Sequence, residues 1–195
     1  MKHRCAWVNS DPLYIEYHDT EWGVPVQDDQ KMFEFLVLET FQAGLSWYTI
    51  LKKRENFRKA FAHFNYHKVA AFSEEDVTRL MNDSGIIRNR LKINSAIINA
   101  QRFIDVQKEW GSFCKYIWSF VDFTPLQNTP EDLSGVPATT DVSDQLSKDL
   151  KKRGFKFVGS TTIYAHMQAC GMVNDHTTDC FRYKEVKESG AAITL

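Results

Sequence analysis

Residues 80–92 of the chain read LMNDSGIIRNRLK, and this stretch decides the fold class. Ser73 and the acidic residues that follow it are typical of a helix start, so a helix is predicted to run into the quoted stretch. Gly85 stops that helix, because glycine alone enters the left-handed backbone region without strain. A second helix is predicted from about residue 89 to residue 106. Residues 73–106 are therefore predicted to form a helix, a tight hairpin and a second helix.

Apolar residues at helical spacing extend over most of the remaining chain. Residues 30–52 predict one long helix or two abutting helices, and the pattern continues to residue 61. Three prolines fall within residues 124–144, which predicts an ordered connection with little regular structure. The sequence has no convincing pair of alternating strands, so we predict an all-α fold, with the last fifteen residues as a loosely held tail. Further short helices are predicted over residues 66–70, 143–152 and 161–170.

The overall composition is that of an ordinary globular protein. The chain has 195 residues, of which 43% are hydrophobic and 25% charged, so it can bury a core and is predicted to form a single domain over residues 1–195. It contains no apolar run long enough for a membrane span, and its first residues lead into no signal-peptide core, so we expect a cytoplasmic protein. The formal net charge of −1 predicts no global attraction to a polyanion, so nucleic-acid binding would need a local basic face.

Two local basic clusters could supply such a face. The turn at Gly85 opens a helix, which presents backbone N–H groups to an anion such as a DNA phosphate. Arg88, Arg90 and Lys92 add positive charge beside this turn. The alternative for each cluster is a helical corner with a solvated, charged face. The second cluster surrounds Gly154 and consists of Lys148, Lys151, Lys152, Arg153 and Lys156.

Cysteine and histidine residues near the two ends of the chain suggest a metal site. His176 and Cys180 are separated by three residues, so on a helical turn both side chains would point the same way. Cys5 and His18 form a second pair near the other end. Together they would make a closed Cys2His2 set, which is typical of structural zinc and leaves no open position for a substrate water. Spacing alone leaves open the alternative of ordinary thiols and locally hydrogen-bonded histidines.

The first third of the chain is rich in aromatic residues around one acid. Glu39 lies between apolar residues, so it is a candidate buried carboxylate, and a buried acid is costly unless a cation or a hydrogen-bond donor meets it. The aromatic residues could form a flat, electron-rich pocket for a nucleobase. Plain core packing of the rings and a surface position for Glu39 are the alternatives. The aromatic residues are Trp7, Tyr14, Tyr17, Trp22, Phe41, Trp47 and Tyr48.

Several longer motifs resemble those of one enzyme family. They include DPLY at 11–14, EWGVP at 21–25, QAGLSW at 42–47, DSGIIR at 83–88, GFKFVG at 154–159 and VNDH at 173–176. Over about residues 3–180 the chain is similar to the bacterial 3-methyladenine DNA glycosylase I family, part of the helix-hairpin-helix DNA glycosylase superfamily. The motifs are long, and they occur in order.

The resemblance implies an all-α helix-hairpin-helix glycosylase fold of two lobes, with a base pocket between them. One structural Zn²⁺ per chain would tie together the terminal segments 1–25 and 160–182. The zinc ligands implied in this way are Cys5, His18, His176 and Cys180. The same resemblance gives Glu39 the recognition of the base, with catalysis as a further candidate role.

The resemblance also implies which other residues contact the substrate. Gln42, Gly44 and Leu45 lie in the segment that enters the DNA stack, where Leu45 would fill the gap left by a flipped nucleotide. The remaining base-contacting positions are Tyr14, Tyr17 and Trp47, with Trp7 and Trp22 completing the walls. Contacts to the DNA backbone are expected from Gly85, Arg88, Lys152 and Lys156.

The activity implied is the removal of 3-methyladenine from alkylated double-stranded DNA, by a monomer that leaves an abasic site. A base methylated at N3 carries positive charge, so it would pair with Glu39, whereas neutral adenine would leave that carboxylate unmet. Such a base is a good leaving group, so the enzyme need mainly flip the nucleotide and stabilise the sugar cation, without a lysine nucleophile. No aspartate stands directly after Lys92 to support that cation, and none is assigned.

Two other classes of function remain as alternatives. A zinc-stapled, non-enzymatic DNA-binding module would use the same hairpin and basic loops, but would not need Glu39 inside an aromatic pocket. A zinc hydrolase of small molecules would need an open coordination position, which a set of four Cys and His ligands does not leave.

Overall fold

Ten α-helices make up most of the described chain, which comprises residues 2–189 and 193–195 of a computed structural model. They are α1 (Pro12–Thr20), α2 (Asp29–Gln42), α3 (Trp47–Ala60), α4 (Tyr66–Ala70), α5 (Glu74–Met81), α6 (Arg90–Trp110), α7 (Phe113–Trp118), α8 (Asp141–Lys152), α9 (Ser160–Ala169) and α10 (Phe181–Ser189). Short 3₁₀ turns occupy Ala62–Phe64, Ser119–Val121 and Leu133–Gly135. Within the described residues, no helix combines the length and the apolar character that crossing a membrane requires.

The two helices predicted around residue 85 are present, and their starts are capped. The Ser73 N–H donates to the Asp76 carboxylate at 3.0 Å, which forms the capping box of α5. At the start of α6, the Asn89 side-chain oxygen accepts from the backbone N–H of Lys92 at 3.1 Å. The capping residues therefore define the helix starts that the sequence predicts.

The turn between these helices is built differently from the prediction. Gly85 is not among the glycines with a left-handed backbone, so the reason given for its presence is wrong. A Cβ at Gly85 would instead come within 2.9 Å of Asp83 Oδ1 and 3.1 Å of the Asn56 side chain. Glycine at this position avoids a tight contact with Asn56 of α3, which packs close to the turn.

Helix α2 lies at the centre of the molecule. Every residue from Met32 to Phe41 is buried, and the helix packs against α3, α6, α7 and α9. It ends at Gln42, and α3 begins at Trp47 after the N-cap residue Ser46. The structure thus has two helices, not one, over the long periodic stretch.

Two groups of helices meet at α2. On one side α6 packs against α4, α5 and α7, and on the other side α8 packs against α9. Both α6 and α9 contact α2, and the buried apolar side chains of both groups belong to one continuous cluster. The prediction of an all-α fold is confirmed.

One short strand pair departs from the prediction of no strands. β1 (Leu126–Gln127) runs parallel to β2 (Val173–Asn174), and the Leu126 N–H donates to the Met172 carbonyl at 2.9 Å. The pair ties the proline-containing connection to the chain beyond α9. Two residues per strand are too few for an alternating pattern to reveal them.

The prediction of a loose tail after Cys180 is wrong for residues 181–189 and 193, while residues 190–192 lie outside the described residues. Residues 181–189 form α10, and its Tyr183 and Val186 are buried. The side-chain amide of Asn174 donates to the Tyr183 carbonyl at 3.1 Å. Ile193 is also buried, and its N–H donates to the Phe123 carbonyl at 2.8 Å. Distant partners therefore order a segment whose own composition is polar.

We expect Gly171→Ala to lower the free energy of unfolding by more than about 3 kcal/mol, because left-handed strain of about 1–2 kcal/mol adds to a backbone clash. The φ of Gly171 is +70°, and a Cβ there would lie 2.4 Å from the backbone of Val24 and Pro25. Gly111→Ala is the matched control, since Gly111 has a φ of +84° and, among the described residues, nothing lies within 4 Å of the added Cβ. Urea unfolding measures both variants, and equal losses would contradict the prediction.

Candidate active site and metal centre

A cavity of about 200 Å³ opens between α1, α2, α3 and α9. Pockets for drug-sized ligands span roughly 300–1,000 Å³, so this cavity suits one planar ring system. All six side chains predicted for the base pocket lie in its wall, and Gln42 joins them. The lining residues are Trp7, Tyr14, Tyr17, Trp22, Glu39, Gln42, Trp47, Leu133, Val136, Ala165, Gln168 and Asp175.

Aromatic rings form much of the cavity wall. The ring centroid of Trp7 lies 5.1 Å from that of Tyr14 and 5.0 Å from that of Trp22. Tyr17 and Trp47 form a further pair, with centroids 5.4 Å apart. Their interplanar angles run from 43° to 71°, so these rings are not stacked on one another. A planar cation in the cavity would gain both ring contact and attraction to the ring electrons.

Glu39 contributes a carboxyl group that has no full set of partners. Only 4% of the surface of Glu39 is exposed to solvent. Among the described residues, no hydrogen-bond donor lies within reach of its Oε2. Burial raises the pKa of Glu39 to about 8, because the charged form loses its hydration. Because this pKa lies above 7, the protonated carboxyl predominates at neutral pH, and an entering cation would favour its ionised form.

Trp47 adds a hydrogen-bond donor without a partner among the described residues. Its indole N–H is buried, and within the described part of the chain no acceptor lies within hydrogen-bond distance. Buried polar groups in folded proteins are almost always paired. The cavity thus holds both a carboxyl and an N–H donor that a ligand with a polar edge would satisfy.

The loop 43–46 connects α2 to α3 beside the cavity. Gly44 has a φ of +82°, a conformation that glycine adopts without strain. Leu45, next to it, leaves 39% of its surface exposed. Gln42 directly before the loop and Trp47 directly after it both line the cavity. The loop therefore presents an exposed apolar side chain beside the cavity.

The four predicted metal ligands come together at the junction of the two chain ends. Cys5, His18, His176 and Cys180 are buried, and their ligand atoms all lie within 4.8 Å of one another. The Cys5 Sγ is 3.4 Å from His176 Nδ1, and the Cys180 Sγ is 3.5 Å from His18 Nε2. A tetrahedral zinc ion with Zn–S bonds of about 2.3 Å and Zn–N bonds of about 2.0 Å requires S···N separations of about 3.5 Å. Donor types and spacing therefore fit a four-coordinate metal ion.

Hydrogen bonds orient both histidine rings of this cluster. His18 Nδ1 lies 2.8 Å from the Asp19 carboxylate, which also accepts two bonds from the Arg4 guanidinium. His176 Nε2 lies 3.1 Å from the Trp22 carbonyl. An acceptor at one nitrogen holds the ring proton there and leaves the other nitrogen free to bind a metal.

The Cys and His cluster also supports the cavity wall. The His18 ring packs 5.2 Å from the Trp7 ring, and the His176 ring packs 4.6 Å from the Trp22 ring, centroid to centroid. Both tryptophans line the cavity. An ion that fixes the two histidines would therefore also fix two of the aromatic walls.

A second His–Cys pair has the same sequence spacing but belongs to no such cluster. His166 and Cys170 are buried, with the Cys170 Sγ 3.7 Å from His166 Nε2. Burial lowers the pKa of His166 to about 3, so its ring is neutral. Within the described chain, no further Cys, His, Asp or Glu completes a metal-binding group with them. The fold, not the spacing, distinguishes the two pairs.

Comparison with known proteins agrees with this site. The family model described as methyladenine glycosylase matches residues 7–183. The chain belongs to the methyladenine glycosylase family. It is 54% identical to DNA-3-methyladenine glycosylase 1 of Escherichia coli K12 over 180 residues, which cover 92% of this chain and 96% of that protein.

Solved structures agree with the family assignment. A crystal structure of a 3-methyladenine DNA glycosylase I has a TM-score of 0.90 and 54% identity, with 92% of this chain and 98% of that chain covered. A variant of another such glycosylase, solved in complex with 3-methyladenine, has a TM-score of 0.89 and 37% identity, with 98% and 99% covered. The resemblance inferred from the motifs is confirmed.

The predicted contacts to the DNA backbone fall partly on the surface and partly not. Arg88, Lys152 and Lys156 are exposed, as a backbone contact requires. The Gly85 N–H, expected to be free for a phosphate, donates to Asp83 Oδ1 at 2.8 Å, so that expectation is wrong.

The basic cluster beside the hairpin is smaller than predicted. Arg90 forms an ion pair with Glu74. Lys92 is buried and donates to the carbonyl oxygens of Phe41 and Ala43, so its predicted place on a basic face is wrong. Its partners come from α2, which sequence spacing could not indicate.

The cavity wall contains a second acid, Asp175, which the sequence patterns did not predict. Its carboxylate accepts hydrogen bonds from Tyr164 at 2.6 Å, from Asn128 at 2.7 Å and from Gln168 at 2.8 Å. Three donors satisfy this carboxylate, in contrast to that of Glu39. Its position directly before a metal-ligand histidine is the signal that could have drawn attention to it.

Three apolar residues of the wall, Leu133, Val136 and Ala165, were also missed, as was the polar residue Gln168. Leu133 and Val136 come from the proline-containing connection, which the sequence predicts as ordered but without a role. Their contact with the cavity depends on how that connection folds back, which no local pattern reports.

Proposed function

We propose that the protein is a DNA-repair glycosylase that removes 3-methyladenine from alkylated double-stranded DNA and leaves an abasic site. The observation that carries the proposal is Glu39, a buried carboxyl with an unpartnered oxygen inside an aromatic cavity of single-base size. The family and the names of its members support the same reading. A non-enzymatic DNA-binding module has no use for such a carboxyl.

Charge is the proposed basis of selection. An adenine methylated at N3 within DNA is cationic, so it would ionise Glu39 and pair with it inside a cavity of low polarity. Neutral adenine offers no charge, so the carboxyl would keep its proton and gain little from the base. The tryptophan and tyrosine rings add attraction for the same cation.

In the proposed reaction, the bond between C1′ of the sugar and N9 of the base breaks, and its electron pair neutralises the base. Water adds to C1′ and loses a proton, which gives free 3-methyladenine and an abasic site. A cationic base leaves readily, so the reaction does not need a strong general acid. The proposed role of Glu39 and the aromatic rings is therefore to bind and orient the base. In the part of the chain that the structure describes, the cavity wall has no lysine, which favours hydrolysis over an amine-linked intermediate.

The base must leave the duplex to reach the cavity, and Leu45 is the proposed wedge. Its exposed side chain stands beside the cavity in a loop with a glycine at φ +82°. An apolar side chain inserted into the stack replaces the contacts that the flipped nucleotide loses. Gln42 and Gly44 are proposed to contact DNA beside it.

Arg88, Lys152 and Lys156 are the proposed contacts to the DNA backbone. Lys152 is the last residue of α8, and Lys156 lies in the turn 153–159 before α9. Among the described residues, no side chain caps the start of α9, so its first N–H groups are available to a phosphate. Cationic side chains next to such a helix start favour a phosphate without reading sequence.

The chain is further proposed to form one domain and to act as a monomer in the cytoplasm, where its proposed substrate lies. One continuous cluster of buried apolar side chains supports the single domain. An asymmetric duplex substrate needs only one copy of the site.

We propose that Cys5, His18, His176 and Cys180 bind one structural Zn²⁺. Four protein ligands leave no position for a substrate water, so the ion would supply stability and no chemistry of its own. The donor set supports zinc, and its place behind Trp7 and Trp22 supports a structural role.

Purified protein should contain about one zinc per chain by elemental analysis, and chelation should lower the free energy of unfolding by at least about 2 kcal/mol. Cys180→Ser should lose the zinc. Cys170→Ser is the matched control, because it removes a buried thiol from the other His–Cys pair and should retain full zinc content. Equal zinc content in the two variants would contradict the assignment.

Release of free 3-methyladenine from methylated duplex DNA, followed by chromatography, tests the activity. The parent protein should release the base, and Glu39→Ala should lose at least about 100-fold in rate, the size typical of losing one key electrostatic contact. Glu34→Gln is the control, since Glu34 is a buried acid of the same helix that pairs with Arg54 outside the cavity. No release by folded, metal-loaded parent would favour the DNA-binding module, and full activity of Glu39→Ala would place base recognition elsewhere.

A further inference from the structure

Lys92 connects the hairpin helix to the loop beside the cavity. The residue is 7% exposed and lies in the first turn of α6. Its Nζ donates to the carbonyl oxygens of Phe41 at 2.8 Å and of Ala43 at 2.6 Å. Burying an ammonium group costs free energy, so its retention here calls for an explanation beyond surface charge.

The end of α2 is where such a group has most effect. The last carbonyls of a helix have no partner within the helix and form the negative end of its dipole. At Ala43 the backbone leaves the helix, and Gly44 follows in the left-handed region. Lys92 supplies two donors and a positive charge where the chain turns toward Leu45.

The anchored loop sits between two parts of the proposed site. Glu39 lies one helical turn before Ala43, and Trp47 follows the loop at the start of α3. Leu45 projects from the loop with 39% of its surface exposed. A shift of the loop would therefore displace the wedge relative to the cavity.

Helix α6 also holds the second DNA-facing segment. Asn99 accepts from the Lys156 N–H at 2.7 Å and donates to the Lys156 carbonyl at 3.0 Å. Lys92 and Asn99 are seven residues apart, which places them on one face of α6. One helix face thus anchors both the loop with Leu45 and the turn with Lys156.

We propose that Lys92 is a positioning residue, which holds the loop 43–46 so that Leu45 enters the duplex in register with the backbone contacts. This inference rests on the proposed function. Without the ammonium group two carbonyls lose their donor, and the loop no longer has one fixed position. Entry into the duplex then suffers, while binding of a free base depends on cavity walls that the metal cluster and the core hold in place.

The test uses full-length Lys92→Met, Lys92→Gln and Lys92→Arg. Lys108→Met is the matched control, because Lys108 is an exposed lysine of the same helix that pairs only with Asp105 among the described residues. Three quantities are measured for each: the affinity for free 3-methyladenine by tryptophan fluorescence, the single-turnover release rate from methylated duplex, and fluorescence of 2-aminopurine opposite an abasic analogue, which reports wedge insertion.

Lys92→Met should release the base roughly 10- to 100-fold more slowly than the parent, because a small displacement of the loop 43–46 misplaces the flipped nucleotide. It should also give a weaker 2-aminopurine signal for wedge insertion. Its affinity for free 3-methyladenine should stay within about twofold, since the cavity walls keep their supports. Lys92→Arg should retain most of the parent's release rate, and the rate of Lys92→Gln should lie between those of Lys92→Arg and Lys92→Met. Comparison of the Arg and Gln variants therefore tests the inference even if Lys92→Met folds poorly.

Two results would overturn the inference. One is an equal loss of free-base affinity and release rate, which would mean that Lys92 only stabilises the packing of the protein. The other is an unchanged release rate in Lys92→Met. Absence of release by the parent and the Lys108→Met control would instead refute the proposed function, so the two failures are distinguishable.

Discussion

The burial of the Glu39 carboxyl without a full set of partners is the constraint on which the rest of the site depends. Helix α2 carries two buried acids, and the comparison between them is informative. Glu34 accepts from the Arg54 guanidinium at 2.6 Å, whereas among the described residues no donor reaches Glu39 Oε2. A protein optimised for folding alone would pair or replace the second acid. This unpaired carboxyl is what supports the proposal that the cavity binds a cationic base.

The surrounding structure supports both the cavity and the loop beside it. The Cys and His cluster joins the chain ends and packs its two histidine rings against Trp7 and Trp22. On the other side, Lys92 of the hairpin helix holds the end of α2 just beyond Glu39. The Cys and His cluster thus supports the cavity wall, and the hairpin supports the adjacent loop 43–46, so residues far apart in sequence contribute to one site.

Most of the correct predictions rest on local sequence patterns. The start of α5 at Ser73, the approximate start of α6 and the motif residues of the pocket follow from side chains close in sequence or from family resemblance. Whether residues 30–52 form one helix or two was left open by the sequence. Two of the errors involve partners outside the local pattern, since Lys92 turns inward to α2 and α10 is ordered by Asn174. The Gly85 N–H, in contrast, is taken by Asp83, only two residues away. Asp175 escaped notice because its donors come from α9 and from Asn128 of the connection before α8, which no local pattern joins to it.

The charge state of Glu39 in the free protein tests the central claim most directly. It can be followed by ¹³C NMR of protein labelled at the glutamate carboxyls, with the Glu39 signal assigned by its absence from Glu39→Gln. Because burial raises the pKa of Glu39 to about 8, the account predicts a carboxyl that is protonated at neutral pH and ionises as the pH rises through that value. Titration near the ordinary value of 4.5 in the free protein would contradict it.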